Sequence, residues 1–277
     1  MLTLKSQTLI STFIFSIVSL NTLAHEQGAQ FSGAIIDPLR VHHAHIEDEQ
    51  RLNFSTIDNT NGKNTYSNSL ELAINWDDDF RWGSEIFIPY SNDGGNGSAV
   101  GDIDLQLVKY AFLNEPETVI TGLFGISLPT GNKSKGLGGE NTGLEMAMFV
   151  DKAYQNWYGG LNLELATVVD GETETEFEIA TALSYSFIQG TVDFAPTTPE
   201  QQFVPALSLE LISGSVIRGA AKGTDVATLV PGLHLWHPKS DWSLRFGVEM
   251  PVSSDKENER VYLLQLGTHK NWSKIFD

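Results

Sequence analysis

From about residue 50 onward, apolar and polar positions alternate with a period of two, in segments of roughly the nine to eleven residues that a tilted strand needs to cross a bilayer. Leu70, Leu72, Ile74 and Trp76 share one face, with Glu71, Ala73 and Asn75 opposite. Phe80, Trp82, Ile86 and Ile88 oppose Arg81 and Glu85, and Ile103, Leu105 and Leu107 oppose Asp104 and Gln106. The same alternation sets Leu144, Met146, Met148 and Val150 against Glu145 and Ala147, and Leu161, Leu163 and Leu165 against Asn162 and Glu164. Further on, Phe177, Ile179 and Leu183 oppose Glu178, Leu207, Leu209 and Leu211 oppose Ser208 and Glu210, and Leu244, Phe246 and Val248 oppose Arg245 and Glu249. With weaker segments near 50–57, 117–128, 225–237 and 258–269, the pattern predicts about twelve strands.

The links between these strands alternate in length. Short ones fall near Asp78, Asn114-Glu115-Pro116, Ala153 and Pro238-Lys239; longer ones, rich in Gly, Asn and Ser, fall near 58–67, 90–101, 129–142, 167–175, 213–224 and 251–257. Short turns at one end and long loops at the other are the habit of transmembrane up-and-down barrels. A long link at 188–201, where a short turn is expected, leaves the strand count there open. The six tryptophans, at 76, 82, 157, 236, 242 and 272, lie beside the short turns or near the C-terminus. Indole settles where hydrocarbon meets water, so Trp76, Trp82, Trp157, Trp236 and Trp242 are expected at one membrane interface. The expected fold class is all-β, a transmembrane antiparallel up-and-down barrel; the alternative is a soluble periplasmic sheet protein with aromatic corners.

Composition narrows this picture. Lys5, an apolar run from about Thr8 to Leu20 and the small-x-small Thr22-Leu23-Ala24 read as a cleaved signal peptide over residues 1–24. Residues 25–49 then form an N-terminal, His-rich lead on the periplasmic side, and 50–277 the barrel. The chain has no cysteine, so an exported fold must be held by packing or by a closed sheet. Thirty-five acidic residues against seventeen basic ones exclude a phosphate-backbone partner such as nucleic acid.

Turning the apolar faces to lipid points Glu71, Arg81, Glu85, Asp104, Glu145, Glu164, Glu178, Glu210, Arg245 and Glu249 into the lumen. Two readings follow: an open pore that favours cations through the sign of its lining, or an interior plugged by its own paired side chains. Twelve strands fall between barrels filled by side chains and barrels that enclose a channel.

Clustered ligand chemistry occurs at His42, His43 and His45, followed by Glu47. In an extended segment His43, His45 and Glu47 project from one side, and imidazole with carboxylate suits a divalent metal. The alternative is a solvated lead into the first strand. Asp93-Gly94-Gly95-Asn96-Gly97 lacks the spacing of a calcium loop. No Gly-x-Ser-x-Gly motif occurs, and a dyad of His234 or His237 with Asp241 is the remaining enzymatic option, so no catalytic residues and no enzyme are expected.

Several short motifs carry a resemblance. They are Gly101-Asp102-Ile103-Asp104-Leu105 leading to Lys109-Tyr110, Gly125-Ile126-Ser127-Leu128-Pro129-Thr130-Gly131 before a glycine-rich loop, Asn156-Trp157-Tyr158, Pro231-Gly232-Leu233, and Gly247-Val248-Glu249-Met250-Pro251. Over this span the chain resembles the outer-membrane barrel family named for the MetA pathway of phenol degradation, whose members are often labelled transporters. The resemblance implies an outer-membrane location in a Gram-negative bacterium, insertion by the barrel assembly machinery, and passage of small, apolar molecules; cationic solutes are the expectation from the acidic lumen. It supplies no catalytic residues or cofactor. Members finish in a strand ending with an aromatic residue, whereas here Phe276 is penultimate and Asp277 last.

Overall fold

In the computed structural model the chain closes into a twelve-stranded antiparallel barrel. The structure describes residue 31 and residues 37–59, 62, 64–92, 97–135, 137–187, 203–237, 242–256 and 258–269. The wall runs β1 (Glu49–Asn59), β2 (Asn64–Asn75), β3 (Trp82–Asn92), β5 (Ile103–Glu115), β6 (Thr118–Leu128), β7 (Gly143–Tyr154), β8 (Trp157–Val168), β9 (Thr175–Ser186), β10 (Val204–Arg218), β11 (Asp225–His237), β12 (Trp242–Pro251) and β13 (Asn258–Thr268). A short strand, β4 (Ser98–Val100), folds back on the end of β3 and adds no stave. Neighbours in sequence pair with one another, and β1 pairs with β13 from Gln50↔Thr268 onward to close the wall. The link at 188–201 lies outside the described residues, but β9 and β10 pair directly from Ala206↔Ser186, which settles the strand count there. The signal segment 1–24, Trp272 and the C-terminal Phe276-Asp277 also lie outside the described residues.

A barrel suits this sequence because closure satisfies every strand edge while the two-residue period separates an apolar exterior from a polar interior. Met146, Leu183, Leu207, Leu209 and Leu211 are about half exposed on the outside, an apolar band far larger than a soluble protein tolerates. Trp76, Trp82 and Trp157 stand 62%, 47% and 46% exposed beside the short turns, and Trp242 alternates with the inward-facing Ser243 and Arg245. Trp236 departs from the expected belt. At 2% exposure it faces inward from β11 with Val230 and His234 and packs in the interior apolar cluster. Phe80, expected on the outer face, is buried as well.

One strand changes face part-way. The pairing of β5 with β6 shifts register between Gln106 and Val108 and again between Ala111 and Leu113, so Leu107 and Val108 are both exposed while Lys109 and Ala111 turn inward. A bulge adds one residue and so reverses the alternation beyond it.

The interior is filled. Residues 37–48, expected as a solvated periplasmic lead, run inside the barrel, where Asp37, Leu39, Val41, His43, Ala44, His45, Ile46, Glu47 and Asp48 are all buried. Inward positions of the wall are small, with Ala180, Ala182 and Ser184 on β9, Ala206 and Ser208 on β10 and Gly232 on β11, leaving a volume that the segment occupies. A Cβ at Gly232 would meet Leu39 Cδ1 at 2.6 Å, and one at Gly83 would meet Ile46 Cγ2 at 2.8 Å. Phe31, Val41, Ala44 and Ile46 thereby join Ala111, Val119, Phe149, Ala153, Tyr158 and Trp236 in one apolar cluster toward the short-turn end.

Gly232→Leu should therefore expel Leu39 while leaving the wall closed. Trypsin cleavage after Arg40 should rise at least tenfold with unchanged heat-modifiable gel mobility. Undiminished protection of that bond would show that the glycine does not make room for the plug.

Candidate functional site in the barrel lumen

The inserted segment bends at Leu39–Val41, and two wall carboxylates hold its backbone. Glu210 of β10 accepts the N–H groups of Leu39 (2.7 Å), Arg40 (2.8 Å) and Val41 (2.9 Å). Asp151 of β7 accepts those of Ala44 (2.8 Å) and His45 (3.2 Å), the His45 ring Nδ1–H (2.9 Å) and the Tyr158 hydroxyl (2.7 Å). Thr121 donates to the Ala44 carbonyl at 2.5 Å, Gln265 donates to that of Leu39 at 2.8 Å, and Asp48 accepts the Asn75 N–H at 2.6 Å. An irregular segment buried in a barrel needs such partners, because each unmet backbone group costs about 1–3 kcal/mol.

A dense charge cluster lies where the segment meets β1, β12 and β13. Arg51 forks onto Glu49 through Nε (3.1 Å) and Nη2 (2.6 Å) and reaches Glu71 through Nη1 (3.0 Å). Arg245 binds Asp37 at 2.9 Å and Glu49 at 3.2 Å. His45 Nε2 stands 3.0 Å from Glu47 Oε1 and 3.3 Å from Asp37 Oδ1, and His269 Nε2 stands 3.2 Å from Glu47 Oε1. Burial resists a charge on His45, but Glu47, Asp151 and Asp37 outweigh it and hold its pKa well above the ordinary histidine value. Burial likewise opposes the charge of Glu47, and His269 and His45 more than offset it, holding that carboxyl well below its usual range.

Above the bend lies a cavity of about 590 Å³, floored by Leu39, Arg40, Val41, His42 and His43 and walled by Glu71, Glu85, Asp104, Glu145, Glu164 and Glu249. Arg40 reaches into it, 3.3 Å from Glu249.

Most residues expected in the lumen are placed inward. Six of the acids line the cavity. Glu178 faces inward beside them by its alternation with Ala180, Glu210 clamps the plug, and Arg245 belongs to the charge cluster. Arg81 does not belong to this set. It sits in the turn before β3, with its backbone N–H on Asp77 and its guanidinium on the Ala111 carbonyl at 3.2 Å, because the turn takes residues 76–81 out of the strand alternation. Among the described residues of the wall, the inward cations are instead Arg51, Arg245 and Lys109, to which the plug adds Arg40. Arg51 was legible from its alternation with Leu52 and Phe54; Lys109 was hidden by the bulge.

Of the four residues expected as metal ligands, His43, His45 and Glu47 come together and Asp37 joins them, all buried. His42 points the other way and stacks on Phe149 at 5.6 Å. Burial pushes its pKa down to about 4, against the opposing pull of Glu71. The enzymatic option gains nothing. His234 pairs with Ser208 at 2.8 Å, but its Nδ1 has no hydrogen-bond partner to orient it and the pair is sealed under the plug. His237 packs against Phe203, and Asp241 lies outside the described residues.

No family model and no curated protein matches the chain. Among solved structures, an outer membrane channel from Pseudomonas putida F1 aligns with a TM-score of 0.57 at 13% identity, over 84% of this chain and 99% of that one. The likeness is one of fold. The KdgM porin (TM-score 0.49, 8% identity, 80% of this chain and 99% of that one) and the β-domain of the Bordetella autotransporter BrkA (0.49, 10%, 80% and 98%) align more loosely.

Removing the Glu210 carboxylate should free the bend. Glu210→Ala forfeits charge-assisted hydrogen bonds worth about 1.5–3 kcal/mol each, so amide exchange at Leu39–Val41 should accelerate roughly a hundredfold, while exchange along β7 and β8 stays unchanged. Equal acceleration throughout the wall would mean that Glu210 supports the barrel rather than the plug.

Proposed function

We propose that this chain is an outer-membrane channel of a Gram-negative bacterium, exported through a cleaved signal, whose lumen is narrowed by its own N-terminal segment. It passes small solutes under the selection of an acidic vestibule. The observation that carries this reading is the cavity walled by six carboxylates directly above a plug whose bend is held by polar contacts. A lining in which six carboxylates outnumber Arg40 and Arg51 concentrates cations and repels anions. The apolar exterior and the fold shared with the Pseudomonas channel support the membrane location.

The family named for the MetA pathway belongs to the same proposal. Two of its motifs gain a physical meaning in this fold, since Asp102 accepts the N–H groups of Gly131 and Gly139 and so ties the start of β5 to the loop after β6. Cβ atoms at Gly131 and Gly138 would collide with that packing. This loop, residues 129–142, stands at the long-loop end as the candidate outer selector. Polar or cationic solutes suit the vestibule better than apolar ones, and nothing in the lumen offers a reacting group set for catalysis among the described residues.

The test is single-channel conductance in planar bilayers under a salt gradient. The exported chain should give small, cation-preferring steps, and deletion of residues 25–48 should enlarge them severalfold. The paired change Glu145→Gln with Glu164→Gln should bring selectivity toward neutrality. A folded barrel that stays silent both with and without the segment would sink the channel reading.

A further inference from the structure

The buried end of the plug carries a donor arrangement that the channel reading does not use. His43 and His45 each turn Nδ1 to an acceptor, the His45 carbonyl at 2.9 Å and Asp151 Oδ2 at 2.9 Å, which fixes the ring orientations and aims both Nε2 atoms at carboxylates, that of His45 at Glu47 (3.0 Å), where a metal ion would take the place of the ring proton. Such outer partners are what metal-binding histidines have. His45 Nε2 faces two carboxylate oxygens at 3.0 and 3.3 Å, and Asp37 Oδ1 and Glu47 Oε2 are buried with no hydrogen bond. Two ligand atoms bound tetrahedrally at about 2.0–2.1 Å from zinc stand about 3.3 Å apart, so the spacing already matches one edge of such a site. Here Nε2, Asp37 and Glu47 carboxylate oxygens and the His43 ring nitrogen all lie within 4.8 Å of one another.

The charge balance points the same way. Among the described residues, Asp37, Glu47, Glu49, Glu71 and Asp151 converge on two arginines, Arg51 and Arg245, and on the rings of His43, His45 and His269, so that carboxylates outnumber arginines in a buried place. Imidazolium protons or a bound cation can meet that excess. His43 also lines the floor of the acidic cavity, which gives an ion a way in from the vestibule.

We propose that Asp37, His43, His45 and Glu47 form a binding site for one divalent transition-metal ion, with zinc as the probe, and that the ion locks the plug inside the barrel. Two imidazoles and two carboxylates suit zinc, nickel or cobalt rather than calcium or magnesium. His269, the residue after β13, stands 3.2 Å from Glu47, and Glu49 of β1 stands 3.7 Å from His43 Nε2. This proposal stands independently of conduction.

The test uses the full exported chain, refolded in chelator and desalted, and titrated with zinc and then with cobalt. One equivalent of zinc should bind, and cobalt should give the visible bands of a four-coordinate site. His45→Ala and Glu47→Gln should each weaken binding at least a hundredfold; His43→Gln, whose ring makes one hydrogen bond, covers the case in which those variants misfold. Zinc should also slow trypsin cleavage after Arg40 at least tenfold in the wild type and in a Glu117→Gln control on the exposed short turn, but not in His43→Gln. If the folded wild type binds neither ion more tightly than His43→Gln does, the cluster is held by protons alone and the proposal fails.

Discussion

A closed sheet in hydrocarbon meets its own backbone requirements but leaves an interior that nothing else need fill. Everything else in this structure follows from how that interior is filled. Small inward residues on β9–β11 and glycines at 83, 232 and 247 leave a volume, and residues 37–48 enter it. Because the filler is irregular backbone rather than side chains alone, acceptors must be supplied from the wall, and Glu210 and Asp151 supply them. The acids of the lumen thus divide into those that hold the plug and those that line the space above it.

The plug is anchored unevenly. Toward the short turns it shares an apolar cluster with Phe149, Tyr158 and Trp236, where burial stabilises at roughly 25 cal/mol per Å². Its charge cluster adds geometry more than net stability, since desolvating ions offsets much of their attraction; removing one partner is what costs about 3–5 kcal/mol. At the bend the backbone of Leu39–Val41 rests on the buried Glu210 carboxylate and the Gln265 side chain, beside the cavity.

The fold was legible because lipid imposes a strict rule on alternate residues, and nine of the ten luminal positions could be placed from parity alone. Parity fails where the strand is interrupted. The turn at 76–81 removed Arg81 from the lumen, and the bulge after Gln106 brought Lys109 in. Trp236 shows a different limit. An indole beside a short turn satisfies the interface rule on either face, and only its alternation with His234, inward and hydrogen-bonded to Ser208, decides that it packs inside. The plug itself carries no periodicity. It therefore escaped sequence reasoning; the signal that could have found it is the complement, a run of Ala, Gly and Ser at inward positions of β9–β11.

The two-residue spacing of His43, His45 and Glu47 explains why the cluster gathers where it does. In an extended segment His43, His45 and Glu47 share one side, and the opposite side presents His42, Ala44 and Ile46 to the apolar wall, where His42 lies on Phe149 and Ile46 meets Gly83. The same alternation that builds the barrel therefore also divides its plug. One face docks by burial, and the other collects charge against Arg51, Arg245 and His269. Shifting the segment by one residue would bury the carboxylates against Phe149 and turn Ile46 toward the arginines. The register of the plug is thus specified as firmly as that of a strand with one buried face.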